Sequence, residues 1–341
     1  LMPTNIIFRT HLIGEITDFA EACSMGMLTR TSNLAELIMS LSKYREEGLR
    51  LTPAVYLCSD LNQVLKLIPY SRYIQIGQTK LKDNAIKDIL KKCAPLARDG
   101  WCIYIEGIKN KFRYGLFRDT FNPLAVPIDL TLFMSGTEHV KVIKVHQIVD
   151  DCVEIRSYRG DCHYVFFSNK RDSTPSPLQH VDDLVSEICQ KISSEIKESV
   201  TTFFGKAIRS ALLDSHGTLI AVCNKKVPKY LSDGVHLPQA IDFSMLVKNA
   251  LRDKEQLPNL QFEITLLKGM LNSDGIIVFN CDAKLLAYNC FISLPAQKTR
   301  AVIGGARRRA FDALSHKLER GVVAIYIQSQ DGMTDFRKVN K

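Results

Sequence analysis

The chain has 341 residues, 46% of them hydrophobic and 24% charged, with a formal net charge of +9. That composition is near the globular average and excludes disordered or collagen-like sequence, while the length favours two folding units. No uninterrupted apolar run reaches the roughly 18 residues of a transmembrane helix, and the opening LMPTNIIFRTHLIGE lacks the sections of a signal peptide, so a cytoplasmic protein without membrane contact is expected.

Along residues 1–168 helical and extended patterns alternate. Leu34, Leu37, Ile38, Leu41 and Tyr44 recur at helical spacing, with Ser32 or Asn33 as a cap and Gly48 as a stop. AVYLCS and RYIQIGQ read as short buried strands, and KDNAIKDILKKCAPLA as a second helix. The runs GWCIYIEGI, FRYGLFR, VKVIKVHQIV, CVEIRSY and CHYVFFS read as strands, several with period-two alternation. Ten cysteines without a C-x-x-C pair indicate reduced, mostly buried thiols. His146, Cys152, Cys162 and His163 match no established metal spacing and read as core and turn residues.

The segment NKRDSTPSPLQ breaks the apolar pattern and marks a domain boundary. Ser176 and Pro177 then stand as N-cap and first helical residue, and one apolar stripe runs from Val181 to Leu212. It fits either one helix of about 35 residues, roughly 50 Å long, or two helices with an unmarked kink. Beyond it come a strand (GTLIAVC), two helices (FSMLVKNAL, FEITLLKGML), a strand pair (GIIVFN, LLAYNCFI), a helix (AFDALSHKL) and a strand (GVVAIYIQS). The expected architecture is therefore α/β. An α+β domain over residues 1–172 leads through a linker and the start of a long connecting helix over 173–199 to a mixed sheet covered by helices over 200–341.

Three places in the last part could carry chemistry. Asp274 and Gly275 lie where a helix pattern gives way to a buried strand, which puts a carboxylate at a sheet end. There it can hold a metal or accept a hydroxyl proton, although Asp-Gly is also a common turn. In AVIGGARRRAFDAL, the glycines Gly304 and Gly305 precede a helix whose first turn carries Arg307, Arg308 and Arg309. Each cation opposes the helix dipole by roughly 0.3–1 kcal/mol, so something must offset them, and a bound phosphate would. Ser329, Gln330 and Asp331 follow a strand, and Asp331 reads either as a metal ligand or as a turn residue.

Taken in order, GTLIAV, the helix ending LNSDG, GIIVFN, LLAYNCFISLP, GGARRRA and IQSQDG resemble the diadenylate cyclase domain over roughly residues 200–335. The family pattern has Asp-Gly-Ala, Gly-Thr-Arg-His-Arg and Ser-Glu-Glu at corresponding places. This chain has Ile276 for Ala, Ala306 for Thr, Arg308 for the central His, Ser273 for a preceding His, and Ser329 and Gln330 where a Glu pair is usual. The resemblance implies an enzyme that condenses two ATP into cyclic di-AMP and releases pyrophosphate, using Mg2+ or Mn2+. It further implies a homo-oligomer in which two such domains face each other. Asp274, Arg307 and Arg309 would be catalytic. Gly275, Ile276, Gly305, Ala306, Arg308, Ser329 and Gln330 would contact the nucleotide, and Asp274 with Asp331 would hold the metal. More weakly, residues 1–172 resemble the DACNV-type sensor domains of bacterial cyclases, which implies regulation by a signal that no motif identifies.

Two other readings stand beside the enzyme. The departures fit a degenerate module that senses a nucleotide without turnover. The charge offers a nucleic-acid binder, since residues 201–341 hold 20 Lys and Arg against 12 Asp and Glu, and residues 1–200 hold 25 against 24. No zinc finger or aromatic-rich RNA motif supports that last reading.

Overall fold

A computed structural model describes residues 4–46, 48–68, 71–98, 100–118, 124, 128–133, 136–149, 152–167, 177–213, 215, 217–231, 233–292, 305–329 and 333–339. The chain forms two compact units, one of residues 1–121 and 126–171, the other of residues 122–125 and 172–341. Each is an α/β unit with its own mixed sheet and its own apolar core.

In chain order the first unit contains α1 (Thr4–Cys23), a 3-10 turn (Gly26–Thr29), α2 (Thr31–Ser42) and a two-strand ribbon, β1 (Arg45–Glu46) and β2 (Leu49–Arg50). Then come β3 (Ala54–Cys58), α3 (Leu61–Leu67), β4 (Arg72–Lys80), α4 (Ala85–Cys93), β5 (Cys102–Ile108) and β6 (Lys111–Arg118). The unit closes with α5 (Ile128–Leu132), β7 (Val142–Val149), β8 (Cys152–Ser157) and β9 (Cys162–Phe166). Its sheet runs β4-β6-β5-β3-β7-β8-β9. Residues of α1, α2 and α4 pack on one face and residues of α3 on the other, because Val55 and Leu57 alternate with Tyr56 and Cys58 along β3. β4 differs from the expectation for RYIQIGQ. It is a strand but not a buried one: it lies at the sheet edge, and Tyr73, Ile74 and Ile76 are exposed. Its apolar residues mimic a core strand in sequence, while its position leaves one side unpaired.

The second unit contains α6 (Pro177–Ile188), α7 (Ser194–Leu213), β10 (Thr218–Cys223), β11 (Asp233–Asp242), α8 (Phe243–Arg252) and α9 (Leu257–Leu271). It continues with β12 (Ile276–Asn280), β13 (Lys284–Phe291), α10 (Ala306–Ser315), β14 (Val322–Gln328) and β15 (Thr334–Lys338). The strand order is β11-β13-β12-β10-β14-β15, with β10 and β12 parallel and the other pairs antiparallel. Ile220, Val222, Ile277, Phe279 and Tyr326 face the helices α6 to α9, and Leu219, Ala221, Val278, Ile325 and Ile327 face α10. β11 and β15 have no counterpart in the sequence reading, since their polar residues and Pro238 hide the strand period.

The apolar stripe from Val181 to Leu212 does not form one long connecting helix. Helix α6 ends at Ile188, and the chain turns so that α6 and α7 pack on each other within the second unit's core. At the turn, the Lys191 N–H donates to the Cys281 carbonyl (2.9 Å) and the Ala283 N–H donates to the Ile188 carbonyl (3.0 Å). These bonds occupy backbone groups that a continuous helix would use internally, and they let both halves of the stripe reach one sheet. α7 is anchored by Phe204, whose ring contacts Phe203, Phe243 and Phe279 at centroid separations of 5.6, 5.2 and 5.8 Å. Replacing Phe204 by alanine is therefore expected to cost about 3–5 kcal/mol. Hydrogen exchange should accelerate in β10, β12 and α9 while peptides of β3, β5 and β7 stay unchanged; a helix packed outside the core would lose less than about 0.5 kcal/mol.

Candidate functional site at one end of the second sheet

Because β10 and β12 are parallel and their neighbours antiparallel, one end of the sheet gathers the start of β12, the end of β13, the end of β14 and the start of β15. Asp274, Gly275 and Ser329 lie at this end. α10 begins with Ala306 and packs across β14 and β10. Arg307 Nη2 donates to Asp274 Oδ1 at 2.9 Å, joining two motifs 33 residues apart.

The position of Asp274 follows from the backbone around it. Helix α9 stops at Leu271, and the Ser273 hydroxyl donates to the Met270 carbonyl (2.7 Å), which satisfies one open carbonyl of the last turn. Gly275 then takes φ +88°, and a Cβ there would stand 2.8 Å from Asn289 C and Cys290 O. Only glycine fits, for conformation and for space. The result is a sharp entry into β12 that leaves Asp274 outside it, with its side chain 84% exposed.

Asn289 is the other half of this contact. It has φ +51° and sits in a bulge of β13: Ile276 pairs with Cys290 while Val278 pairs with Ala287, so Tyr288 and Asn289 of β13 together oppose Ile277 of β12. The same irregularity separates the β11 pairs Asp233 with Phe291 and Val235 with Tyr288. Gly234, at φ +150°, lies so close that a Cβ would fall 2.6 Å from Cys290 Cα. The two Asp-Gly pairs thus flank one bulged strand end, and Asp233 joins the site as a second exposed carboxylate. Neither Asp233 nor Asn289 stands among the residues that the sequence motifs single out. An Asn inside an otherwise apolar strand pattern was the available signal. Cys290 sits between these groups, and burial, followed by the charge of Asp233, pushes its thiol up to about 11. It stays protonated at neutral pH and is no nucleophile.

The arginines divide. Gly305 caps α10 in extended conformation with no side-chain bond, and the first turn carries no acid. Gly305, Ala306 and Arg309 are exposed. Arg308 is engaged elsewhere: its guanidinium reaches Asp335 (3.0 Å) and Asp312 (3.4 Å) and lies over the Phe311 ring, beside Arg337. Carboxylates from α10 and β15 therefore offset Arg308, and Asp274 offsets Arg307, so the unfavourable first turn is partly compensated within the protein. Ile276 is 1% exposed and packs with Leu219 and Phe311, so its side chain belongs to the core and does not line the site. The Ser329 hydroxyl donates to the Met333 carbonyl (3.1 Å). Gly304, Gln330 and Asp331 lie outside the described residues.

Among the described residues no group of three His, Cys, Asp or Glu side chains could hold a metal. His163 instead stacks edge-on against Phe19 (5.5 Å), and Cys162, its neighbour on β9, pairs across from Arg156. None of the ten cysteines forms a disulfide, and eight are buried. At the sheet end the exposed carboxylates are those of Asp274 and Asp233. One or two carboxylates are what Mg2+ or Mn2+ commonly takes when phosphate oxygens and water complete its shell. Among the described residues no helix is long and apolar enough to cross a membrane. Comparison with known protein families, with curated proteins and with solved structures found no match.

The forced conformation at Gly275 can be measured against a permissive glycine. Gly275→Ala should lower stability by about 1–3 kcal/mol, read from urea denaturation. Gly269→Ala, at a helical position with nothing within 4 Å, should raise it by about 0.5–1 kcal/mol. Equal effects at the two positions would contradict the close approach of β13.

Proposed function

We propose that the second unit binds ATP at the Asp274 end of its sheet and joins two ATP molecules into cyclic di-AMP, releasing pyrophosphate. The observation that carries the reading is the meeting of Asp274 and Arg307 at 2.9 Å beside an uncapped helix N-terminus. A carboxylate, a guanidinium and open backbone amides in one place are the groups that phosphoryl transfer needs.

In this mechanism the triphosphate lies against the first turn of α10, where the positive end of the helix dipole and the exposed Arg309 take up its charge. Arg307 moves part of its hydrogen bonding from Asp274 to phosphate. The exchange costs little, because an ion pair to a carboxylate this exposed is worth only about 0–1 kcal/mol. Asp274, released, accepts the proton of the 3′-hydroxyl as that oxygen attacks the α-phosphorus of the second ATP in line, and the arginines stabilise charge growing on the phosphoryl oxygens. A divalent cation held by Asp274 would supply further charge neutralisation at the phosphates. Because the reaction joins two nucleotides reciprocally, two copies of the unit face each other in a homo-oligomer, each holding one ATP. The first unit is then the regulatory part.

A second reading, nucleotide sensing without turnover, is favoured by Arg308, whose charge is committed to Asp312 and Asp335 at the position of the family's central His.

Incubation of the full chain with ATP and Mn2+ is expected to yield cyclic di-AMP by mass spectrometry. Asp274→Asn should reduce turnover at least 100-fold while ATP binding stays within about threefold, as expected when a proton acceptor is lost. Binding without product in the wild type would favour the sensing module, and absence of both would remove the reading altogether. Arg309→Ala should weaken ATP binding by about tenfold, the scale of one charge-assisted contact; unchanged affinity would place the triphosphate elsewhere.

A further inference from the structure

The first unit contains an open hollow of about 680 Å3, within the size range of small-ligand sites. The end of β4 and the turn between β5 and β6 build one side of it. The register sets Lys80 directly opposite Lys111, a like-charged cross-strand pair that is unfavourable in the absence of an anion. Lys109 occupies the turn in left-handed conformation, φ +52°, and the Leu81 N–H donates to the Asn110 carbonyl (3.2 Å), which ties the end of β4 to the turn. The other side comes from the 3-10 turn before α2. Gly107 of β5 lets that turn settle on the sheet, since a Cβ there would stand 3.1 Å from Leu28 Cγ, and Arg30 follows at the rim.

Arg30, Lys80, Lys109 and Lys111 all line this hollow, with the amides of Gln78 and Asn110 between them and no carboxylate among the lining residues. Arg113 also lines it, but its charge is taken by the buried Glu106, which in addition accepts from the Leu61 N–H (3.0 Å). Among the described residues, the other four cations make no ion pair. Over residues 1–121 and 126–171 the first unit carries 23 Lys and Arg against 18 Asp and Glu, an excess of five. Four cations without an ion pair stand around this one concavity, at a cost in mutual repulsion that an anion would reverse.

We propose that this hollow binds a small molecule carrying at least two phosphate groups, held by Arg30, Lys80, Lys109 and Lys111 with hydrogen bonds from Gln78 and Asn110. Four cations call for more charge than a single carboxylate supplies. They also converge from two sides on one cavity rather than run as a stripe, which favours a compact polyphosphate over a nucleic-acid backbone. The site is independent of what the second unit catalyses.

The test is calorimetric titration of the full chain with inorganic tripolyphosphate at 150 mM salt. It compares the wild type with an Arg307→Ala/Arg309→Ala variant and with that variant carrying Lys80→Glu/Lys111→Glu in addition. We expect saturable binding that persists in the arginine variant and that, in this arginine-substituted background, falls at least tenfold when the two lysine substitutions are added. Binding lost already in the arginine variant, or no saturable binding to the wild type, would overturn the proposal. So would tighter binding of a 20-base-pair duplex through the same lysines, which would mark a nucleic-acid surface. If the glutamate variant fails to melt cooperatively, Lys80→Gln/Lys111→Gln replaces it under the same criteria. Neither outcome depends on whether cyclic di-AMP is made.

Discussion

The end of the second sheet is organised by one steric constraint, the approach of two backbones to the bulge at Asn289 and Cys290. Gly234 comes in from β11 and Gly275 from the start of β12, each at a distance no side chain would allow. The bulge turns the end of β13 and widens the local twist. Gly275 must therefore enter β12 at a left-handed angle, and Asp274 is held clear of the sheet where Arg307 can reach it. The constraint is one of shape alone. It uses no strong bond, yet it fixes where the exposed carboxylate stands.

Electrostatics at this end are divided between work and structure. Arg308, Arg337, Asp312 and Asp335 neutralise one another across α10 and β15 around the Phe311 ring, a closed arrangement with little charge to spare. Arg307 and Asp274 form a looser pair, and Arg309 is exposed. A ligand would meet the loose pair and the exposed arginine first, since their rearrangement costs least. The three adjacent arginines are thus unequal, and their inequality arises from α10 alone: successive helical residues point about 100° apart, so only one of them can turn toward β15.

The element order of the second unit was legible in the sequence, because its core strands are short uninterrupted apolar runs and its helices carry period-3.6 stripes. What escaped was whatever depends on partners distant in sequence. RYIQIGQ has the residues of a core strand but lies at an edge. β11 and β15 are polar enough to pass for loops, since each has only one neighbour and little buried surface. The stripe from Val181 to Leu212 continues through the turn between α6 and α7, as both helices bury the same face against one sheet, so periodicity alone could not locate the break. Asp274 and Arg307 could be singled out from their local setting at a helix end and a helix start. Asp233 and Asn289 could not, because their role follows from the register of β13 against two neighbours. Ile276, which the resemblance sets beside the nucleotide through its place in the Asp-Gly-Ala pattern, turns its side chain into the core through the alternation of β12.

The parallel pairing of β10 with β12, and the antiparallel pairing of β10 with β14, also have a consequence for the order of assembly. β10 lies near the middle of its sheet, yet its two neighbours are supplied from residues 276–280 and 322–328. During synthesis on the ribosome it emerges well before either, with both hydrogen-bonding edges open. Pairings of such long sequence separation are slow to close and leave apolar strand edges exposed meanwhile. α6 and α7, translated just ahead of β10 and already bearing a continuous apolar face, are the first surface available to cover it. The helices that took the place of a projecting connector thus stand where an internal chaperone for the nascent sheet would have to be.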